Sequence, residues 1–69
     1  MPLIEVTLGE GRSPEKLRAL ISRLTDAVVE TDVGPKESVR VIVREVPLTH
    51  WAAADETLAE RAQKRQQDT

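Results

Sequence analysis

Within the first 46 positions, two short alternating stretches flank one long amphipathic stretch, and this pattern restricts the fold more than any other feature of the chain. Over residues 3–8, Ile4, Val6 and Leu8 share one face and Leu3, Glu5 and Thr7 the other, the period of two that marks a strand. Over residues 38–46 a second strand is expected, dense in β-branched residues, with Val39, Val41 and Val43 on one face and Arg40, Ile42 and Arg44 on the other. Between them Leu17, Leu20, Ile21, Leu24, Ala27 and Val28 recur at helical spacing, leaving Lys16, Arg18, Arg23, Asp26 and Glu30 largely outside the apolar stripe. Ser13, Pro14 and Glu15 form a helix start, and Gly34 with Pro35 is expected to end it. Strand, helix and strand make a β-α-β unit of the α/β (α+β) class, a parallel pair joined by a right-handed crossover.

Such a unit cannot close on itself. With 69 residues the chain is one domain, 1–69, whose core can supply only a few kcal/mol of net stability. It has no cysteine for disulfides, and one histidine cannot build an ordinary structural zinc site, so no metal is expected. A homo-oligomer that extends the sheet and covers its second face is the remaining remedy. The net charge of −2 offers no bulk attraction to nucleic acid, and no apolar run is long enough to cross a membrane. Without a signal-peptide pattern, a cytoplasmic protein is expected. After Pro47 a turn leads to Trp51, residues 52–54 are ambiguous, and 57–67 have helical composition with a thin apolar stripe of Leu58, Ala59 and Ala62. The polar tail, about 64–69, is expected to fray.

Pro2 is the first candidate for chemistry. Strands avoid proline except at a first residue or an edge, and that alone would account for it. Yet Met1 before a small residue is usually removed, which would leave Pro2 with a free secondary amine able to act as a base. To be neutral near pH 7 that amine needs desolvation, neighbouring cations, or both. Arg12, between a glycine-containing loop and the helix start, and Arg40, inside a strand of valine and isoleucine, are the candidate cations. Parallel strands are usually covered on both faces, and a covered guanidinium needs an anion, for which a carboxylate substrate would serve. Arg18, Arg23 and Arg44 read as solvated or salt-bridged. Trp51, the only aromatic residue, is an apolar wall or an interface anchor, and the neighbouring His50 is weak evidence for a base.

Together, PLIEVTLGEGRS at the start, the helix after Ser13, GPKESVRVIVREV and an aromatic residue soon after the second strand make this sequence similar to the 4-oxalocrotonate tautomerase family. Pro2, Gly11-Arg12 and the Ser38-Val39-Arg40-Val41 run stand at that family's spacing. The resemblance implies dimers with a four-stranded sheet, joined as a hexamer, a trimer of dimers. It also implies a keto–enol tautomerase with no cofactor, acting on a small 2-hydroxydienoate or enol carboxylate. Pro2 would be general base and acid, and Arg12 would bind a carboxylate. Arg40, from another subunit, would bind the 2-oxygen and a carboxylate oxygen. Ser38 would lie beside the substrate, and Trp51 would stand where phenylalanine is common and keep the amine dry. The family's glycine-rich stretch after the aromatic residue is replaced here by Ala52, Ala53, Ala54 and Asp55. Alanine lacks glycine's access to positive φ, which counts against the usual hairpin there. Two alternatives are a non-catalytic or partner subunit of a hetero-oligomer, and a related lyase or dehalogenase. The latter would call for a carboxylate near position 53, which is alanine.

Overall fold

The computed structural model describes residues 2–67; Met1 and the last two residues of the expected tail lie outside the described residues. The order is β1 (Leu3–Gly9), α1 (Pro14–Glu30), β2 (Arg40–Val46), β3 (Ala52–Ala53), β4 (Glu56–Thr57) and α2 (Leu58–Gln67), with single 3-10 turns at Lys36–Ser38 and Leu48–His50. β1 and β2 pair in parallel, from Leu3 opposite Arg40 to Gly9 opposite Val46.

The alternation read from the sequence sets the two faces. Ile4, Val6, Val41 and Val43 are half-buried, while Leu3, Glu5, Thr7, Arg40, Ile42 and Arg44 are exposed. α1 lies against β2 and half-buries Leu17, Leu20, Ile21, Leu24 and Val28, although Ala27 remains exposed. At its start the Ser13 Oγ accepts the Lys16 N–H at 3.3 Å.

The helix ends earlier than Gly34 and Pro35 suggested. Thr31 caps it, the Asp32 N–H donates to the Val29 carbonyl and the Val33 N–H to the Val28 carbonyl, while Asp32 takes φ 59°. This is the left-handed termination usually given to glycine, and a short polar side chain tolerates it. Gly34 is thereby freed for another position, described below. β2 also begins later than expected, because Lys36–Ser38 form a turn.

A hairpin forms despite the alanines. β3 and β4 pair antiparallel, and the two residues that reverse the chain, Ala54 and Asp55, both accept positive φ, 53° and 65°. Glycine at position 54 would avoid the left-handed penalty of roughly 1–2 kcal/mol but gives up unfolded-state restriction. Ala54→Gly is therefore expected to stabilise the protein by about 1 kcal/mol, read as a higher Tm in thermal unfolding. The helix that follows the hairpin continues through Lys64 and Arg65 to Gln67, into the segment expected to fray.

One protomer does not make a closed core. No apolar side chain among the described residues is buried, and Leu3 and Ile42 stand 52% and 40% exposed. The radius of gyration is 16.0 Å, against about 11 Å for a compact domain of this length. The accessible surface is 5491 Å², against about 4,300 Å² for a folded monomer of this mass.

Candidate active site

At the start of the sheet, the Arg40 N–H donates to the Pro2 carbonyl at 3.0 Å and fixes Pro2 to the first residue of β2. The half-buried proline ring lies against Gly34. A Cβ on that glycine would stand 3.3 and 3.4 Å from Pro2 Cδ and Cγ, and 3.1 Å from Ser38 Oγ. Pro2, Gly34 and Ser38 thus converge on one niche, whose width depends on the missing side chain at position 34. Gly34, read from the sequence as a helix stop, is a residue that sequence reasoning missed, because its contact is with a proline distant in the chain. Ser38 Oγ donates to the Pro35 carbonyl at 2.9 Å within the turn that leads into β2.

Arg40 lies at the same end of the sheet but on its other face, in alternation with Ile42 and Arg44. Its Nη1 donates to the Glu37 and Val39 carbonyls, at 3.0 and 3.4 Å. Arg12 folds back at the opposite end of β1, where its Nη1 donates to the Gly9 carbonyl at 2.7 Å. Among the described residues neither guanidinium pairs with a carboxylate, whereas Arg44 pairs with Glu5 at 3.3 Å and Arg18 donates to Ser22 Oγ at 2.9 Å. A guanidinium carries five N–H donors, so carbonyl contacts alone leave Arg12 and Arg40 with charge and donors for an anion.

Trp51 belongs to the Arg12 end. β2 finishes opposite Gly9, the Leu48–His50 turn follows, and the Leu58 N–H donates to the Trp51 carbonyl at 2.8 Å. Leu48 and Leu58 close over Gly9, where an added Cβ would meet Leu48 Cδ2 at 2.8 Å and Leu58 Cδ1 at 3.6 Å. The indole itself is 36% exposed. The seven residues of β1 put about 20 Å between the two ends. Hence the structure gathers Pro2, Ser38 and the Arg40 backbone at one end, and Arg12 with Trp51 at the other. A single pocket using all five can be completed only by residues of more than one protomer.

In the hairpin after Trp51, Glu56 stands opposite Ala53 and accepts from Arg61 Nε at 3.1 Å through one carboxylate oxygen and from Lys64 Nζ through the other. The Lys64 ammonium first, and then the Arg61 guanidinium, hold the Glu56 carboxyl below its usual range, while Glu56 raises Lys64. For Glu56, the lowered folded value means stability that is present above the ordinary carboxylate range and is lost as pH falls through the folded value. For Lys64, the raised value means stability that is present below the ordinary lysine range and is lost as pH climbs through the folded value. The paired state therefore spans neutral pH. Among the described residues, no group of three or more histidine, aspartate or glutamate side chains could hold a metal ion, and no helix is long and apolar enough to cross a membrane.

Comparison with known proteins adds to this geometry. A family model described as tautomerase enzyme matches residues 2–61. A protein of Ralstonia nicotianae named as a probable tautomerase is 59% identical over 54 residues, 78% of this chain and 77% of its own. The crystal structure of TomN, a 4-oxalocrotonate tautomerase homologue in the tomaymycin biosynthetic pathway, is 50% identical with a TM-score of 0.85, covering 90% of this chain and 95% of its own. A heterohexamer 4-oxalocrotonate tautomerase from Chloroflexus aurantiacus is 38% identical with a TM-score of 0.81, covering 87% of this chain and 97% of its own.

Proposed function

The chain belongs to the tautomerase family, and from that premise we propose that it is a cytoplasmic, cofactor-independent keto–enol isomerase whose proton carrier is the amine of Pro2, bared by removal of Met1. The substrate is a small 2-hydroxydienoate or enol carboxylate. The neutral Pro2 nitrogen takes the enol hydroxyl proton, leaving a dienolate, and the pyrrolidinium returns a proton to carbon to give the ketone. No other reagent is needed, since one proton leaves oxygen and one arrives at carbon.

Arg12 holds the substrate carboxylate and draws electron density toward it. Arg40 holds the 2-oxygen and a carboxylate oxygen, Ser38 lines the niche beside Pro2, and Trp51 excludes water. Two guanidiniums and an apolar wall lower the amine's pKa, and the same cations stabilise the dienolate as charge develops. The observation that carries this reading is the seating of the Pro2 ring against Gly34 and Ser38, with its carbonyl held by the Arg40 N–H. The separation of Arg12 and Trp51 from that niche supports a pocket shared between protomers of a homo-oligomer, a hexamer built as a trimer of dimers.

Kinetics on the processed protein test it, with phenylenolpyruvate and 2-hydroxymuconate as substrates. Arg12→Ala and Arg40→Ala are each expected to lower kcat/KM by about 10²- to 10³-fold, while Arg18→Ala, outside the site, stays close to the parent. Absence of ketonisation by the parent, or equal loss in all three variants, would overturn the assignment. A second reading, a partner subunit of a hetero-oligomer, draws on the likeness to the Chloroflexus aurantiacus heterohexamer. A uniform oligomer formed by this chain alone, seen by native mass, would exclude it.

A further inference from the structure

α2 has little reason to stand where it does on its own account. It is ten residues long, below the length at which an isolated helix persists in water, and its apolar residues are Leu58, Ala59 and Ala62. The hairpin before it carries two residues with positive φ. Each element therefore depends on contacts outside itself, and three sets of contacts tie them in place. The Glu60 N–H donates to Thr57 Oγ1 at 3.0 Å, and Thr57 Oγ1 donates to Glu60 Oε1 at 3.1 Å, a reciprocal cap at the helix start. Leu58 lies over Gly9 and donates its N–H to the Trp51 carbonyl. Glu56, opposite Ala53 in the hairpin, holds Arg61 and Lys64, which are three residues apart on one helix face. The Glu56 carboxylate thus spans from the strand that follows the reversal to the first and second turns of α2.

We propose that α2 and the two-cation grip of Glu56 form a clamp that fixes the hairpin and so sets the position of Trp51 in the substrate pocket, with Glu56 as a positioning residue for substrate fit. That Trp51 faces substrate rests on the tautomerase reading; the clamp itself rests on the contacts above. Exposed ion pairs contribute little to global stability, so the effect is expected on the placement and motion of the indole, with little change in Tm. Trp51 is the only aromatic residue of the chain, and its fluorescence reports that placement directly.

The test uses the full chain lacking Met1, in its assembled form. Glu56→Gln is expected to lower the fluorescence anisotropy of Trp51 and shift its emission to the red. It should also raise KM for phenylenolpyruvate between about twofold and tenfold, with kcat within about twofold of the parent. Lys64→Gln, which removes one exposed cation, is expected to move both readouts in the same direction by less. In a Trp51→Ala background, Glu56→Gln should add no further rise in KM. Unchanged anisotropy in Glu56→Gln, or a KM effect that persists undiminished without Trp51, would overturn the clamp. Should Glu56→Gln fail to assemble, Lys64→Gln decides on the same readouts. A parent without turnover would sink the tautomerase reading, and the anisotropy measurement would still decide whether α2 holds Trp51.

Discussion

Replacing Pro2 by alanine in the processed protein is expected to lower kcat/KM for phenylenolpyruvate by at least about a hundredfold, the low end of what general acid–base catalysis contributes, with the oligomer and circular dichroism unchanged. Alanine, like proline, is a small residue after Met1, so both proteins should lose the initiator methionine and can be compared directly. The variant keeps an amine, but a primary one on a chain end that no ring holds against Gly34 and Ser38. Its lone pair is free to rotate away from substrate, and positioning within the reacting geometry is where such a group gains its rate. If Pro2 served only to begin a strand, this substitution would leave turnover intact, and that result would refute the mechanism. Protein that retains Met1 carries an amide at the same nitrogen and is expected to be equally inactive. Intact mass measured beside the kinetics separates the two causes.

Ile42→Lys is expected to abolish assembly and, with it, cooperative thermal unfolding at micromolar concentration. Ile42 sits between Arg40 and Arg44 on the sheet face that α1 does not cover, and Leu3 is exposed on the same face. Burying an isoleucine contributes roughly 1.5–3 kcal/mol. The variant loses that in every copy and places three cations in alternation on one strand. A closed domain would tolerate such a surface change, but here no apolar side chain among the described residues is buried within the protomer. Sedimentation and a circular dichroism melt check the outcome. A monodisperse oligomer with the parent's melting curve would mean that this face stays open to water, and the proposed assembly would need a different interface.

The central strand–helix–strand unit was legible because its signals are local and periodic. Ile4, Val6 and Leu8 repeat at two, Leu17, Leu20, Ile21 and Leu24 at three and four, and the structure half-buries both sets. What escaped was decided by single backbone angles or by distant partners. Asp32 takes a left-handed turn just past Thr31, so the helix ends before the Gly34 and Pro35 that were expected to stop it, and the contact of Gly34 with Pro2 was not foreseen. Ala54 and Asp55 accept positive φ that composition argued against. α2 runs on to Gln67, past the point where fraying was expected, and Glu56 reaches residues five and eight positions on, beyond what a local pattern reveals. For the candidate site, residue types and spacing pointed to Pro2, Arg12, Arg40, Ser38 and Trp51. Their distribution over two ends and two faces of the sheet is a property of register, which the sequence carries only indirectly.

The length of β1 also bears on how genetic damage would spread. With Pro2 at one end of the strand and Arg12 at the other, each copy of the proposed assembly lends its residues to different pockets. A lesion at Pro2 and a lesion at Arg12 therefore injure different sites on the same chain. In a cell carrying both alleles, mixed particles would contain some pockets lined entirely by intact residues, and two individually silent genes would complement each other. An allele that fails only at Arg12 would, conversely, impair pockets built around its healthy sibling's Pro2, and its inheritance would be partly dominant.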